Sequence, residues 1–248
     1  MTEYLEAATG AARKAGKLLR ENFGAALDVS AFEAHDIKLE LDVRSQNLIT
    51  EHLLGLYPDH ALYGEEGLAG NQASPYHWIV DPIDGTVNYF YSIPHFCISI
   101  ALRHGSEIIA GVIHDPMRDE MWRVSKGGAP TLNGKPFQVS QRNRLSEAVI
   151  SVGFTKNKTT IESGLSLFER VVHRARKCRL MGSAALDMAY VACGRLDAYI
   201  EQSVSLWDIA AGKILVEAAG GLVEMNERPD AKDKYSVVAS NGKIDLGI

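Results

Sequence analysis

HWIVDPIDGTVNY, residues 77 to 89, passes from an apolar, β-prone approach into two carboxylates three residues apart. Asp81 and Asp84 are separated by Pro82, which stiffens the chain, and are followed by Gly85, which breaks it. The apolar approach reads as a buried strand that runs out at Asp81. Two like charges held at such a bend repel each other unless they are protonated or neutralised by a cation. A strand end followed by a stiff turn is therefore expected to be a ligand-holding place.

Working outward, Leu5, Ala8, Ala12, Ala15, Leu18, Leu19 and Phe23 fall on one stripe at helical spacing, with Gly24 placed as a stop. A second helix is expected from Val43 to Leu56, with Leu48, Ile49, Leu53 and Leu56 inward. The segment VSAFEAHDIKLELD between the two is too mixed to assign. HALYGEE reads as a short strand ending in Glu65 and Glu66. Downstream, CISIALR, IIAGVIH and EMWRV are separated by short turns, as in antiparallel hairpins, and TLNGKPFQV adds a hairpin centred on Asn133 and Gly134. From AVISVG onward strands and helices alternate: helices near 160 to 173, from Ser183 to Ala192 and from Asp208 to Ala219, and strands at DAYIE, GLVEM and YSVVAS. Interleaved helices and mixed sheets argue for stacked layers, an α+β to α/β sandwich, rather than a barrel or a purely doubly wound sheet.

The bulk numbers agree with a globular chain. Of 248 residues, 46% are hydrophobic and 23% charged, which suits one large core, and no linker or repeat divides the chain. A formal charge of -5 gives no reason to expect a nucleic-acid surface, and the basic run HRARKCR at 173 to 179 reads as a helix end and exposed turn. The start, MTEYLEAATGAARKAGKLLREN, is interrupted by charges every few residues, so neither a signal nor a membrane span is expected and the cytoplasm is the expected location. Cys97, Cys178 and Cys193 show no metal or disulfide spacing and read as free thiols.

Carboxylates recur at ends of elements: Glu65 with Glu66, Asp81 with Asp84, and Asp208. Each alone has a local explanation, since Asp84 starts a turn, Asp208 caps a helix and the glutamates are exposed. Together they suggest a cation site of oxygen ligands, which suits Mg2+ and lacks the His and Cys that zinc favours. Gly85 and Thr86 follow at once, offering backbone N–H groups to an anion. Cations beside anion-binding amides point to a phosphate ester, with the Thr86 hydroxyl available to orient a water.

GEEG at 64 to 67, DPIDGTVNY at 81 to 89, GSAALDMAY at 182 to 190 and WDIAAGKILVEAAGG at 207 to 221 together resemble the inositol monophosphatase family of magnesium-dependent, lithium-sensitive phosphatases. The resemblance spans roughly residues 60 to 240. It implies a five-layer αβαβα fold related to fructose-1,6-bisphosphatase, and one catalytic domain over residues 1–248 with parts at about 1–145 and 146–248. It also implies hydrolysis of a small phosphorylated substrate, a homodimer, and two or three Mg2+ ions. Carried over by position, Glu65, Asp81 and the carbonyl of Ile83 would hold the first ion, and Asp81, Asp84 and Asp208 the second. A weaker third ion would share Glu65 through water. Gly85 and Thr86 would bind phosphate, and Thr86, partnered by Asp42 from the early loop, would help activate water.

The match thins in two places. Within DIKLELD at 36 to 42, Asp36, Glu40 and Asp42 align, but Leu39 stands where the family usually has Thr and Lys38 where it has an apolar residue. Lys38 is then either a solvated loop residue or a phosphate contact. In the pocket, Glu201 falls where inositol-specific members place a carboxylate for ring hydroxyls, or it is a plain strand-end charge, with Gly182, Ser183 and Ala184 on the other wall. QSVSL at 202 to 206 carries no basic side chain of the kind a bisphosphate would call for. Myo-inositol monophosphate is therefore the expected substrate. Histidinol phosphate, fructose 1,6-bisphosphate, 3'-phosphoadenosine 5'-phosphate and a non-catalytic binding role on the same fold are the alternatives. Trp207 is expected in core packing, His95, His104 and His114 in structural or solvated places, and Lys156 and Lys158 in a surface loop.

Overall fold

The structure, a computed structural model, describes residues 2–25, 29–33, 36–154, 158–229, 231 and 233–247. Lys156 lies outside them. The N-terminal half runs α1 (Thr2–Asn22), β1 (Val29–Glu33), β2 (Asp36–Leu39), α2 (Glu40–Leu56), β3 (Ala61–Gly64), β4 (Gly67–Gly70), β5 (Tyr76–Asp84), α3 (Thr86–Phe90), β6 (Cys97–His104), β7 (Glu107–Asp115), β8 (Glu120–Ser125), β9 (Thr131–Leu132) and β10 (Lys135–Pro136). The C-terminal half runs β11 (Val149–Val152), α4 (Lys158–Val172), β12 (Lys177–Arg179), α5 (Ala184–Ala192), β13 (Ala198–Ser205), α6 (Leu206–Ala218), β14 (Leu222–Glu227) and β15 (Lys234–Ser240).

Two sheets carry the layers. The larger has the order β10-β9-β8-β7-β6-β5-β3-β4 and the smaller β12-β11-β13-β15-β14, with β1 and β2 forming a separate hairpin. Helices α1 and α2 cover one face of the larger sheet, α5 and α6 fill the space between the sheets, and α4 covers the outer face of the smaller one. The stack is thus αβαβα, as the resemblance implied. Its middle layer is the apolar centre: Ala185, Leu186, Met188, Ile209, Ala211 and Leu215 are all buried there against Ile79, Ile113 and Val237. Burying one such large aliphatic side chain contributes about 1.5–3 kcal/mol, so this layer holds the two sheets together. Close approach is required where α6 crosses β7, since a Cβ on Gly111 would lie only 3.0 Å from the Ala211 carbonyl oxygen.

The α1 stripe is inward and the helix ends just before Gly24, whose φ of 78° suits glycine alone. Asn133 and Gly134 both have positive φ, at 49° and 79°, as a tight two-residue hairpin requires.

Several expectations need correction. Helix α2 begins at Glu40 rather than Val43, so Asp42 stands in its first turn and not in a loop, and Leu56 is 55% exposed. Within the unassigned segment, Val29–Glu33 and Asp36–Leu39 pair antiparallel as a two-stranded sheet and Glu40–Asp42 open α2, a change of element that its mixture of charged and apolar residues does not mark. Part of the basic run HRARKCR is strand β12, paired in parallel with β11. Strand β5 does not stop at Asp81 but continues to Asp84, and how it does so shapes the site.

Candidate active site

Residues three apart on a regular strand point to opposite faces, so Asp81 and Asp84 should diverge. They do not, because β5 carries a bulge between them: Asp81 pairs with Ser99 and Asp84 with Cys97, three steps on β5 against two on β6. Pro82 has no N–H to give the ladder, which explains why the extra residue sits there. The insertion resets the alternation and turns both carboxylates the same way. The bulge is pinned from both ends of its turn. Ser45 Oγ donates to the Pro82 carbonyl at 3.1 Å, and the Ile83 N–H donates to Asp81 Oδ1 at 3.0 Å.

Asp208 comes from the other sheet. Strand β13 ends at Ser205 and α6 begins at once, so Asp208 lies in the helix's first turn, where its Oδ2 accepts the Ser205 N–H at 2.9 Å. One oxygen each from Asp81, Asp84 and Asp208 lies within 4.8 Å of the other two. Asp81 is 2% exposed and Asp84 8%.

Such crowding is costly to the charged forms. Burial first, then Glu65, Asp84 and Asp208, push the Asp81 carboxyl well above the usual range. Burial raises Asp84 as well, opposed by donors from Ser183 Oγ at 2.5 Å and the Ala185 N–H at 2.7 Å. Asp208 is pushed up to about 7, by burial and then by Asp84, while the Ser205 N–H and Lys234 pull it down. Among the described residues no Lys, Arg or His forms an ion pair with any of the three. A compact set of carboxylate oxygens without an organic counter-ion fits a hard metal ion.

Around the cluster lies a cavity of about 490 Å³, bordered by both sheets. Of the residues expected at the site, Glu65, Asp84, Gly182, Ser183, Ala184, Glu201 and Asp208 line it. The Ile83 carbonyl accepts the Thr86 hydroxyl at 2.9 Å, and Thr86 Oγ1 stands 3.5 Å from Asp42 Oδ1, whose Oδ2 takes the Leu39 N–H at 2.8 Å. Gly85 has φ of 97°, and a Cβ there would meet the carbonyls of His95 and Gly182 at 3.1 and 3.2 Å. Only glycine makes this passage from β5 into α3. Trp207 both packs against Tyr63, with ring centroids 5.4 Å apart, and lines the cavity, so the expectation of core packing alone is too narrow.

A model of the inositol monophosphatase family matches residues 1–247. The chain belongs to the inositol monophosphatase family. It is 38% identical to the inositol-1-monophosphatase of Mesorhizobium japonicum, with 94% of this chain and 90% of that one covered. It is 36% identical to the Nus factor SuhB of Pseudomonas aeruginosa, with coverage of 98% and 93%. Among solved structures, the inositol monophosphatase from Anabaena superposes with a TM-score of 0.85 at 36% identity, covering 98% of this chain and 92% of that one. As a member of this family the chain is a metal-dependent phosphoric monoester hydrolase acting on a small phosphorylated substrate.

Several residues of this phosphatase site escape sequence reasoning. Asn88 joins the walls, its Nδ2 donating to the carbonyls of His95 at 2.8 Å and Met181 at 2.9 Å. Gln46 accepts the Glu66 N–H at 2.9 Å and so fixes the turn that carries Glu65. Asp187, on α5, is buried on the cavity floor with Oδ2 taking the Ser151 hydroxyl at 2.7 Å, and burial raises its carboxyl well above the usual range. Lys234, at the start of β15, reaches the cavity from outside every recognised motif. Register was the missing signal: β13 and β15 pair antiparallel with Ser205 opposite Lys234.

Glu201 receives the Tyr199 hydroxyl. Gly153 makes room for it, since a Cβ at that position would lie 1.9 Å from Glu201 Oε2, well inside van der Waals contact. Gly153→Ala is therefore expected to displace Glu201 and to raise KM for an inositol phosphate about tenfold, with a smaller change in kcat. Steady-state kinetics on the purified variant checks this, and an unaltered KM would remove Glu201 from the substrate wall.

Proposed function

We propose that the chain hydrolyses myo-inositol monophosphate to inositol and phosphate with Mg2+ as the metal. The carrying observation is the trio Asp81, Asp84 and Asp208, the first two buried and the third half-buried, brought within 4.8 Å by the β5 bulge and the first turn of α6. Glu65, Asp81 and the Ile83 carbonyl would hold one ion, and Asp81, Asp84 and Asp208 another, with a weaker third beside Glu65. The Ile83 oxygen has two lone pairs, so the Thr86 hydroxyl does not exclude it as a ligand. Bound there, Mg2+ would supply a water of lowered pKa and positive charge for the phosphate.

The chain's own groups do the positioning. Thr86 Oγ1, held between the Ile83 carbonyl and the Asp42 carboxylate, orients the attacking water. Backbone N–H groups at Gly85 and Thr86 face the phosphate. Glu201 accepts hydrogen bonds from ring hydroxyls, while Gly182, Ser183 and Ala184 form the facing wall. Retention of Glu65, Asp81, Asp84 and Asp208 together favours catalysis over a purely binding role.

In this reading residues 1–248 act as one catalytic unit, with parts at about 1–145 and 146–248, each lending carboxylates to the cluster. A cytoplasmic homodimer is the proposed form. The exposed Tyr91, Ile93 and Leu180 supply apolar surface for a second copy, and among the described residues no helix is long and apolar enough to cross a membrane. The test is phosphate release from inositol 1-phosphate, histidinol phosphate, fructose 1,6-bisphosphate and 3'-phosphoadenosine 5'-phosphate, with Mg2+ and with EDTA. Inositol 1-phosphate is expected to be turned over fastest among the monophosphates, and only with metal. Equal low rates on all four would sink the inositol assignment.

A further inference from the structure

Helix α2 presents three polar residues on one face: Asp42, Ser45 and Gln46 stand at i, i+3 and i+4, and all three are buried. Each reaches a different segment of the carboxylate site. Asp42 Oδ1 faces the Thr86 hydroxyl at 3.5 Å, Ser45 Oγ donates to the Pro82 carbonyl inside the β5 bulge at 3.1 Å, and Gln46 takes the β3–β4 turn that carries Glu65. Gln46 holds that turn with both ends of its amide. Oε1 accepts the Glu66 N–H at 2.9 Å, and Nε2 donates to the Gly67 carbonyl at 3.3 Å. The fit is close, since a Cβ on Gly64 would overlap the Gln46 amide.

The turn has little stiffness of its own. Strand β4, which leaves it, is the edge of the sheet, runs for only 4 residues and has glycine at both ends, with φ of 123° at Gly67. The Glu65 N–H donates to the Val80 carbonyl at 3.1 Å and so ties the near side of the turn to β5. Gln46 ties the far side. Glu65 stands close enough to Asp81 to be the first of the charges that raise its carboxyl.

We infer that Gln46 is a positioning residue for the metal centre. It holds the Glu65 turn against α2 while the adjacent Ser45 holds the β5 bulge, and so sets the spacing of Glu65 from Asp81 and the affinity of the ion that these two carboxylates share. This rests on the metal reading above and deepens it. A side chain that only satisfied buried backbone groups would contribute to folding and be silent towards the metal. A template for two ligands is felt when the ion binds, because a turn left loose has to be ordered at that moment.

The experiment titrates Mg2+ alone into wild type, Gln46→Met, Gln46→Asn and Leu53→Ala by isothermal titration calorimetry, and follows phosphate release from inositol 1-phosphate against Mg2+ concentration. Methionine keeps the length and loses both hydrogen bonds, and asparagine keeps the amide one methylene short of the turn. Both are expected to raise the Mg2+ dissociation constant and the half-saturating Mg2+ concentration about tenfold. KM for the ester at saturating Mg2+ is expected to stay within about twofold of wild type. Leu53→Ala removes a fully buried side chain of the same helix, so it lowers the melting temperature and is expected to leave Mg2+ binding unchanged. A wild-type dissociation constant in either Gln46 variant, an equal loss in Leu53→Ala, or a loss that appears in KM at saturating Mg2+ would each overturn the inference. A wild type that neither binds Mg2+ nor releases phosphate with it would instead overturn the metal reading itself.

Discussion

Asp84→Asn is expected to lower kcat/KM by on the order of 10³-fold or more while leaving the fold intact, because it removes a metal-holding charge without changing shape. The local structure explains why the fold survives. Asp84 accepts from Ser183 Oγ at 2.5 Å and from the N–H groups of Ala185 at 2.7 Å and Ala184 at 3.3 Å. An asparagine carbonyl in the place of Oδ2 keeps both Ser183 and Ala185, and only the 3.3 Å contact of the Ala184 N–H with Oδ1 is lost to the amide NH2. What it cannot supply is an anionic oxygen shared with Asp81 and Asp208. The variant should therefore keep the wild-type circular dichroism spectrum, lose activity, and lose most of the stabilisation that Mg2+ confers on the wild type. Phosphatase activity surviving this change would show that the metal assignment is wrong.

That prediction depends on a feature the sequence states only in part. Asp81, Pro82 and Asp84 are legible as two carboxylates about a stiff turn, and the hairpins from Cys97 to Ser125 and the helix stripe from Leu5 to Phe23 are legible from their periods. The local pattern, however, ends the strand at Asp81. The structure continues it through a bulge to Asp84. The distinction decides which face Asp84 points to, and it is set by pairing with Ser99 and Cys97, far along the chain. The same holds for Asp42: its pairing with Thr86 is implied by the resemblance, but its seat in the first turn of α2 is not, because Leu39 rather than a Ser, Thr, Asp or Asn stands at the N-cap. Lys234 and Gly153 were invisible for a related reason. Each matters only through a neighbour brought close by sheet register or by the turn after β11. Motifs report the residues that touch metal or phosphate, and long-range packing decides the rest of the wall.

Metal removal should be felt most strongly in stability, and with a definite pH sign. In the metal-free protein Asp208 titrates at about 7 and Asp81 well above the ordinary range, whereas in the unfolded chain both return to about 4. Between about pH 4 and 7 the folded cluster therefore binds more protons than the unfolded chain, and its contribution to stability falls as pH rises through that window. Magnesium competes with those protons for the same oxygens. It binds weakly where the cluster is protonated and tightly where it is charged. At a concentration a hundred times its dissociation constant the ion adds about 2.7 kcal/mol, or about 5–10 °C in Tm for a chain of this size. The increment from Mg2+ over EDTA is thus expected to be large at pH 8 and to shrink to about 1–3 °C at pH 5. His95, held down to about 4 by burial, acts in the opposite sense, since the unfolded chain protonates it first. It does so with and without metal, so the difference between the two melting curves isolates the carboxylates. Differential scanning calorimetry at the two pH values measures that difference directly. An increment independent of pH, or larger in acid, would mean that the ion binds somewhere other than Asp81, Asp84 and Asp208.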